Sequence, residues 1–257
     1  MSMLETVDEI FSGILDVLYP PHCLICGVEE REPYCLDCRK EISPLNPPFC
    51  EMCGLPSAEG KLVCRNCETA PPPYDSVIVL GRYEGGLKRA IHLLKYEGKS
   101  ALAKPLGRLL AETINLKMES RRSFSDAIED INNEDEATHA FDCIVPVPLH
   151  SSRERERGFN QSLILAKPIS DRFACEINVH DLKRVRKTRI QATLNQLQRT
   201  GNVLGAFETR SALCFNQRKV LLVDDVMTTA STLRECARVL KNAGAASVWV
   251  AVLARGD

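Results

Sequence analysis

Apolar residues recur along this chain with two different periods, and the changes of period mark out its elements. Leu4, Val7, Ile10, Phe11, Ile14, Leu15 and Leu18 fall at helical spacing, which predicts an amphipathic helix over residues 1–20. Glu5, Asp8, Glu9 and Asp16 make it acidic, so it suits packing on its own protein better than an anionic lipid surface. Residues 21–70 lack such a pattern: large apolar side chains are sparse there and cysteine pairs recur. Pro71-Pro72-Pro73 follows as a stiff linker. From 75 to 257 strand and helix patterns alternate. Residues 77–80 read as a strand, and 87–96 and 102–116 as amphipathic helices. Residues 119–140 read as a polar insertion. Beyond it come a strand at 144–148, a helix at 163–173 and a weak strand at 177–179. A buried strand at 219–223 leads into another helix, and 247–253 closes the sheet. From Asp126 to Glu136 the insertion holds six acids and no base, the composition of a solvated loop. The alternation predicts an α/β domain whose mainly parallel sheet carries helices on both faces.

Composition narrows the class. At 257 residues and 44% hydrophobic content there is material for one ordinary domain and a small module. Net charge is −1, so any nucleic-acid contact must come from local patches. No apolar run approaches membrane-spanning length. The acidic N-terminus lacks the basic n-region and small-residue cleavage site of a signal peptide. The expectation is a cytoplasmic protein that does not span a membrane.

The cysteines say what the module is. Eight of the twelve lie in the first 67 residues, as Cys23-x-x-Cys26, Cys35-x-x-Cys38, Cys50-x-x-Cys53 and Cys64-x-x-Cys67. Two thiolates on one tight turn can reach one metal, and two such pairs complete a tetrahedral Cys₄ zinc site. Gly27 and Gly54 directly follow two of the pairs, as knuckle turns require. Eight thiolates imply two structural zincs, and metal binding supplies the stability that so small a core lacks. Sequential pairing groups Cys23, Cys26, Cys35 and Cys38 apart from the other four; cross-braced pairing is the alternative. Cys143, Cys175, Cys214 and Cys236 are scattered and read as small buried apolar residues. The module has two roles open to it, a rigid docking scaffold or a contact for single-stranded nucleic acid. Its bases are diluted by acids, and its only aromatics between the first and last ligands are Tyr34 and Phe49.

The segment from Lys219 to Leu233 concentrates the candidate chemistry. Val220-Leu221-Leu222-Val223 runs into Asp224-Asp225. A run of hydroxylated or small residues (Thr228, Thr229, Ala230, Ser231, Thr232) follows just before a helical pattern. In an open α/β sheet, ligands bind at the edge where such strands end. Backbone N–H groups at a loop-to-helix junction make an anion site, to which hydroxyls add donors. Two carboxylates just upstream could hold a sugar diol or a hydrated Mg²⁺. Diol and phosphate on one short segment suggest a ribose 5-phosphate. Ordinary helix capping after an acid-ended strand is the plainer alternative. A Walker-type ATPase is excluded, because Leu93 stands where the first glycine of a loop ending Gly98-Lys99-Ser100 would be. A phospho-acceptor receiver domain carries its acids early, whereas about thirty residues follow these.

Two basic stretches could complete such a site. Pro146-Val147-Pro148-Leu149-His150 leaves a strand and enters a segment with Arg153 and Arg157, four apart and on one face if helical. Lys183-Arg184-Val185-Arg186-Lys187-Thr188-Arg189 carries five bases and no acid. It reads as a loop that could close over pyrophosphate, or as a solvated charge run.

The Asp-Asp segment closely resembles the ribose-phosphate motif of type I phosphoribosyltransferases, in which two acids contact the ribose hydroxyls of phosphoribosyl pyrophosphate and the loop binds its 5-phosphate. Ala230 departs from the glycine usual there, at a strain cost if its φ is positive. The wider set of motifs resembles the ComF group of phosphoribosyltransferase-like proteins. It comprises P-V-P-L-H followed by R-x-x-x-R-G-F-N-Q, then R-x-x-K-T-x-x-Q with Asn202-Val203. Tyr83-Glu84-Gly85 with Leu94-Lys95-Tyr96 belongs to it, as do the leading helix with Tyr19-Pro20-Pro21 and the paired ribbons. The resemblance covers nearly the whole chain. It implies a type I phosphoribosyltransferase fold over 75–257 behind a double zinc ribbon at 21–70, and a part in natural transformation, where imported single-stranded DNA is handled. It implies that Asp224 and Asp225 hold the ribose and, through water, Mg²⁺, and that residues 228–232 hold the 5-phosphate. Pro148, His150, Arg153 and Arg157 are candidates for the pyrophosphate side, with Arg186, Lys187 and Arg189 as the closing loop. Three functions stay open: phosphoribosyl transfer to an unknown acceptor, a non-catalytic binder of the sugar phosphate that engages single-stranded DNA or a DNA-uptake ATPase, or a purely structural zinc adaptor.

Overall fold

The computed structural model describes residues 20–45, 48–57, 61–126, 140–187 and 203–256. The helix expected over 1–20 lies outside them save for Pro20, as do Arg189 and most of the acidic insertion. In chain order the described residues form α1 (Leu36–Lys40), α2 (Arg65–Thr69), β1 (Ser76–Arg82), α3 (Gly85–Tyr96) and α4 (Ala103–Asp126). Then come β2 (Cys143–Pro146), α5 (Ser151–Arg157), α6 (Gln161–Phe173), β3 (Leu182–Arg184) and β4 (Phe207–Thr209). The chain closes with β5 (Lys219–Met227), α7 (Ser231–Asn242) and β6 (Ser247–Arg255).

The parallel sheet runs β1-β6-β5-β2. Its central strands, β6 and β5, are rich in Val, Leu and Ala, as burial on both faces demands. On one face α3, α4 and α6 cover Ile78, Ile144, Leu221, Val223 and Leu253. On the other, α7 and the antiparallel β3–β4 pair cover Val77, Val145, Val220, Leu222 and Val250. Gly107 lets α4 meet α6 closely: a Cβ there would lie 2.7 Å from the Leu165 carbonyl oxygen and 2.9 Å from Pro168. Among the described residues no helix is long and apolar enough to cross a membrane.

The ribbons are built into this sheet. β1 is an edge strand, and the Cys-rich segment covers its open edge: Val77 N–H donates to the Glu51 carbonyl at 3.0 Å, and Arg82 N–H to that of Ser43 at 2.8 Å. Capping an edge in this way removes a template for aggregation. Pro72 and Tyr74 are buried, so the proline run is a strap against the domain rather than a free spacer.

Several expectations need correction. α4 continues through 119–126, which the polar pattern assigns to a loop. Tertiary contacts hold the start of this stretch: Arg121 pairs with Glu51 at 3.7 Å and stacks over Trp249 at 4.3 Å. The weak strand at 177–179 is reduced to one bridge, Ile177 to Ile144. The basic stretch begins as a strand, because Leu182–Arg184 pairs antiparallel with Phe207–Thr209 across a long sequence separation. β5 also runs past residue 223 through both acids, because β6 continues pairing with it as far as Met227–Arg255.

Candidate functional site

Each ribbon is made the same way. Gly27 N–H returns to the Cys23 carbonyl and Gly54 N–H to that of Cys50, both at 2.8 Å. Both glycines have positive φ, +79° and +70°, which a side chain would disfavour. The second pair of each ribbon straddles a helix start: the Cys35 sulfur caps α1 by accepting from Cys38 N–H, and Cys64 stands at the N-cap position of α2. The result is two clusters, Cys23/Cys26/Cys35/Cys38 and Cys50/Cys53/Cys64/Cys67, with the sulfurs of each within 4.8 Å of one another. The pairing is sequential. Sulfur separations of 3.8 Å (Cys23–Cys38), 3.7 Å (Cys26–Cys35) and 3.8 Å (Cys53–Cys64) match the edge of about 3.8 Å expected for four Zn–S bonds of about 2.3 Å. Backbone N–H groups of Ile25 and Cys35 point at the Cys23 sulfur. Donor set, spacing and supporting N–H groups all fit zinc. The four remaining cysteines take no part; Cys143, Cys175 and Cys236 are buried.

At the carboxyl edge of the sheet lies a cavity of about 410 Å³. It opens where β5 outruns β2: that pairing ends at Pro146–Val223, so Asp224–Met227 has no strand beside it on that side. Asp224 is buried and its Oδ1 accepts from Ser162 Oγ and from the Asp225 N–H, both at 2.9 Å. Burial and the adjacent Asp225 carboxylate push Asp224 up to about 7. Asp225 pairs through Oδ1 with Lys95 Nζ at 2.7 Å, while its Oδ2 is buried without a hydrogen bond. Burial would lower the Lys95 ammonium, but Asp225 outweighs it and the net shift is upward.

The loop after β5 turns into α7 at Ala230, whose φ of +60° and ψ of 8° are left-handed. No side chain caps α7, and its first-turn N–H groups point along the helix axis toward the loop end. Thr228, Ala230, Ser231 and Thr232 line the same cavity as the acid pair. Arg153, Arg157 and Arg184 form another part of the wall. Burial, with Arg153 close by, lowers the Arg184 guanidinium's proton affinity. Among the described residues no carboxylate pairs with Arg153 or Arg157. Arg157 instead donates to Gln161 at 2.5 Å and lies 5.6 Å from the Tyr96 ring. The cavity thus combines a carboxylate pair, an anion-seeking helix start and a cluster of guanidinium groups.

Asp224, Asp225, Thr228, Ala230, Ser231, Thr232, Arg153 and Arg157 therefore come together as the motifs predict, and α5 puts the two arginines on a helix. Pro148, His150, Thr229, Arg186 and Lys187 do not line the cavity. His150 is the N-cap of α5, its Nδ1 accepting from Ser152 N–H at 3.3 Å. Thr229 faces the back of the loop, toward the second ribbon. Arg186 donates to the Leu204 carbonyl at 2.6 Å, and Lys187 is exposed. Lys95, Arg184, Tyr83 and Tyr96 line the wall without having been singled out as site residues. Lys95 and Tyr96 belong to the L-K-Y stretch, and Arg184 opens R-x-x-K-T. Nothing in the sequence marks Ser162.

Residues 14–68 match the model of the Double zinc ribbon domain, and residues 160–257 that of the Phosphoribosyl transferase domain. The chain is 35% identical over 235 residues to the DNA utilization protein YhgH of Salmonella typhimurium, covering 91% of this chain and 89% of that protein. It is 31% identical over 194 residues to competence protein F of Haemophilus influenzae, covering 75% and 78%. It is 28% identical over 225 residues to competence protein ComFC of Bacillus subtilis, covering 84% and 81%.

Proposed function

The chain belongs to the family of DNA utilization protein YhgH and competence protein F, joining a double zinc ribbon to a phosphoribosyltransferase domain, and on that premise we propose that its cavity binds phosphoribosyl pyrophosphate with Mg²⁺. One observation carries this reading. The acid pair and the uncapped, hydroxyl-lined start of α7 share one cavity with guanidinium groups that no acid in its wall offsets except that pair. Asp224 and Asp225 would accept from the ribose hydroxyls, and residues 228–232 would donate to the 5-phosphate. Arg153, Arg157 and Arg184 would take the pyrophosphate end, with Arg186, Lys187 and Arg189 following β3 as a closing segment. Mg²⁺ would neutralise the pyrophosphate as it leaves, while the ribose passes through an oxocarbenium-like state. Lys95 already neutralises one acid, so the ion is expected to enter with the ligand rather than before it. The test is titration calorimetry with Mg²⁺ and phosphoribosyl pyrophosphate. The wild type should bind, the double variant Asp224→Asn/Asp225→Asn should not, and unchanged affinity in the variant would remove the site.

A binder without turnover is the second reading. Its support is that no histidine or glutamate lines the cavity, and its only carboxylates are the pair assigned to the ribose. Pyrophosphate release measured against a panel of bases and amines separates the two. For the biological role, the relatives' names support a part in DNA utilisation and competence, with handling of imported single-stranded DNA or contact with a DNA-uptake ATPase. Fluorescence titration with a single-stranded oligonucleotide at two salt concentrations tests direct contact, since phosphate contacts weaken steeply with salt. Tyr34 is fully buried and offers no stacking platform, so any contact rests on the half-buried Phe49 and the basic groups. Absence of binding at low salt would end that branch.

A further inference from the structure

We infer that Arg255 couples the second Cys₄ cluster to the loop at 228–232, making that ribbon part of the ligand-binding apparatus. This rests on the reading that the loop holds a phosphate. Arg255 ends β6, opposite Met227 in register, and is 9% exposed. Its Nε donates to the carbonyl of Cys53, a member of the second cluster, at 2.8 Å. Its Nη1 donates to the carbonyls of Met227 at 3.0 Å and Thr228 at 2.5 Å, the residues that lead into the loop. One planar guanidinium therefore sets the distance between a metal knuckle and the root of the anion loop. Its donors form a rigid fork that a lysine cannot reproduce.

The surroundings agree. Cys53, Cys64 and Cys67 form one wall of a second cavity of about 410 Å³, and Thr228, Thr229 and Ala230 form another. The back of the loop thus faces the second ribbon. Gly54, in the same knuckle, has φ +70°, and a Cβ there would lie 3.7 Å from Arg255 Cδ, so the arginine stem packs on the turn. The first ribbon packs elsewhere: Cys23, Cys35 and Cys38 lie in the cluster that holds α3 and α4. It serves as an internal control. Metal fixes the Cys50–Gly54 turn, the turn fixes Arg255, and Arg255 fixes the loop entrance. Linkage makes the coupling reciprocal, so ligand on the loop must tighten metal in the second ribbon by the same factor that metal tightens ligand.

The experiment is an equilibrium zinc competition on the full chain against a chromophoric chelator, with and without phosphoribosyl pyrophosphate and Mg²⁺, alongside calorimetry. Two zinc transitions are expected. Ligand should shift one of them about tenfold and leave the other in place, a factor within the usual range of allosteric coupling. Arg255→Met should keep both zincs, bind ligand about tenfold more weakly and lose the differential shift, and Arg255→Lys should not restore it. Equal shifts in both transitions, no shift despite calorimetric binding, or a differential shift that survives in Arg255→Met would each overturn the coupling alone. If the wild type binds no ligand, the binding reading falls and the coupling with it. Should Arg255→Met not fold, the wild-type comparison and Arg255→Lys still decide the matter.

Discussion

Asp224→Asn should stabilise the protein at pH 8 while destroying its ligand binding. Asp224 is buried beside a second carboxylate, and these surroundings raise it from 3.8 to about 7. A group raised on folding contributes its full stability below the unfolded value and loses it as pH rises through the folded one. Above pH 7 the ionised carboxylate therefore costs the fold about 4 kcal/mol relative to a carboxyl that titrates normally. At pH 5 the same comparison leaves about 2 kcal/mol. Asparagine keeps an Oδ1 acceptor for Ser162 Oγ and Asp225 N–H and removes the charge. Urea denaturation of both proteins should show the variant ahead by about 2–4 kcal/mol at pH 8, the lower figure allowing for the lost field around Lys95, with the advantage shrinking toward pH 5. Calorimetry on the same samples should show no binding of phosphoribosyl pyrophosphate. A variant less stable than the wild type at pH 8, or an advantage independent of pH, would refute the reasoning. Such a gain in stability with loss of function is what a preorganised binding group predicts.

Other perturbations follow from the same geometry. Lys95→Met leaves Asp225 buried with neither oxygen paired, and should cost about 3–5 kcal/mol in urea denaturation; adding Asp225→Asn should recover most of it, and independent effects would contradict the pairing. Gly107→Ala drives a methyl into the Leu165 carbonyl and Pro168 and should cost about 1–3 kcal/mol, whereas a wild-type melting midpoint would mean that α4 and α6 can separate freely. In Ala230→Gly, relief of a left-handed alanine by about 1–2 kcal/mol is offset by glycine entropy of about 0.5–1 kcal/mol and by the lost burial of one methyl, about 0.8 kcal/mol. The melting temperature should therefore stay within a few degrees of the wild type, and a loss above about 2 kcal/mol would show that the methyl does more packing than its position implies.

What was legible beforehand follows from how local each signal is. The ribbons could be read because C-x-x-C and its trailing glycine specify a turn within five residues. Their pairing could not, since both arrangements use the same local turns. The acids and loop of the cavity were visible because one continuous segment, 219–233, carries strand, carboxylates and helix start. Arg153 and Arg157 were visible because four-residue spacing puts them on one face of α5. Lys95 and Ser162 reach the acids from α3 and α6, and only tertiary packing brings those helices to the same strand. The β3–β4 pair escaped because its two three-residue strands are short and far apart in sequence. Residues 119–126 escaped because their helix depends on Glu51 and Trp249, from the ribbon and from β6. Arg255 lies beyond the strand read at 247–253, and its role appears only when the second ribbon folds against it.

The most direct measurement is a crystal structure of the full chain soaked with Mg²⁺ and phosphoribosyl pyrophosphate. The account predicts the 5-phosphate on the N–H groups of residues 228–232, the ribose hydroxyls on Asp224 and Asp225, and the pyrophosphate toward Arg153, Arg157 and Arg184. A saturating soak that leaves the cavity filled only by solvent, with Lys95 still on Asp225, or that puts the sugar phosphate elsewhere, would contradict it.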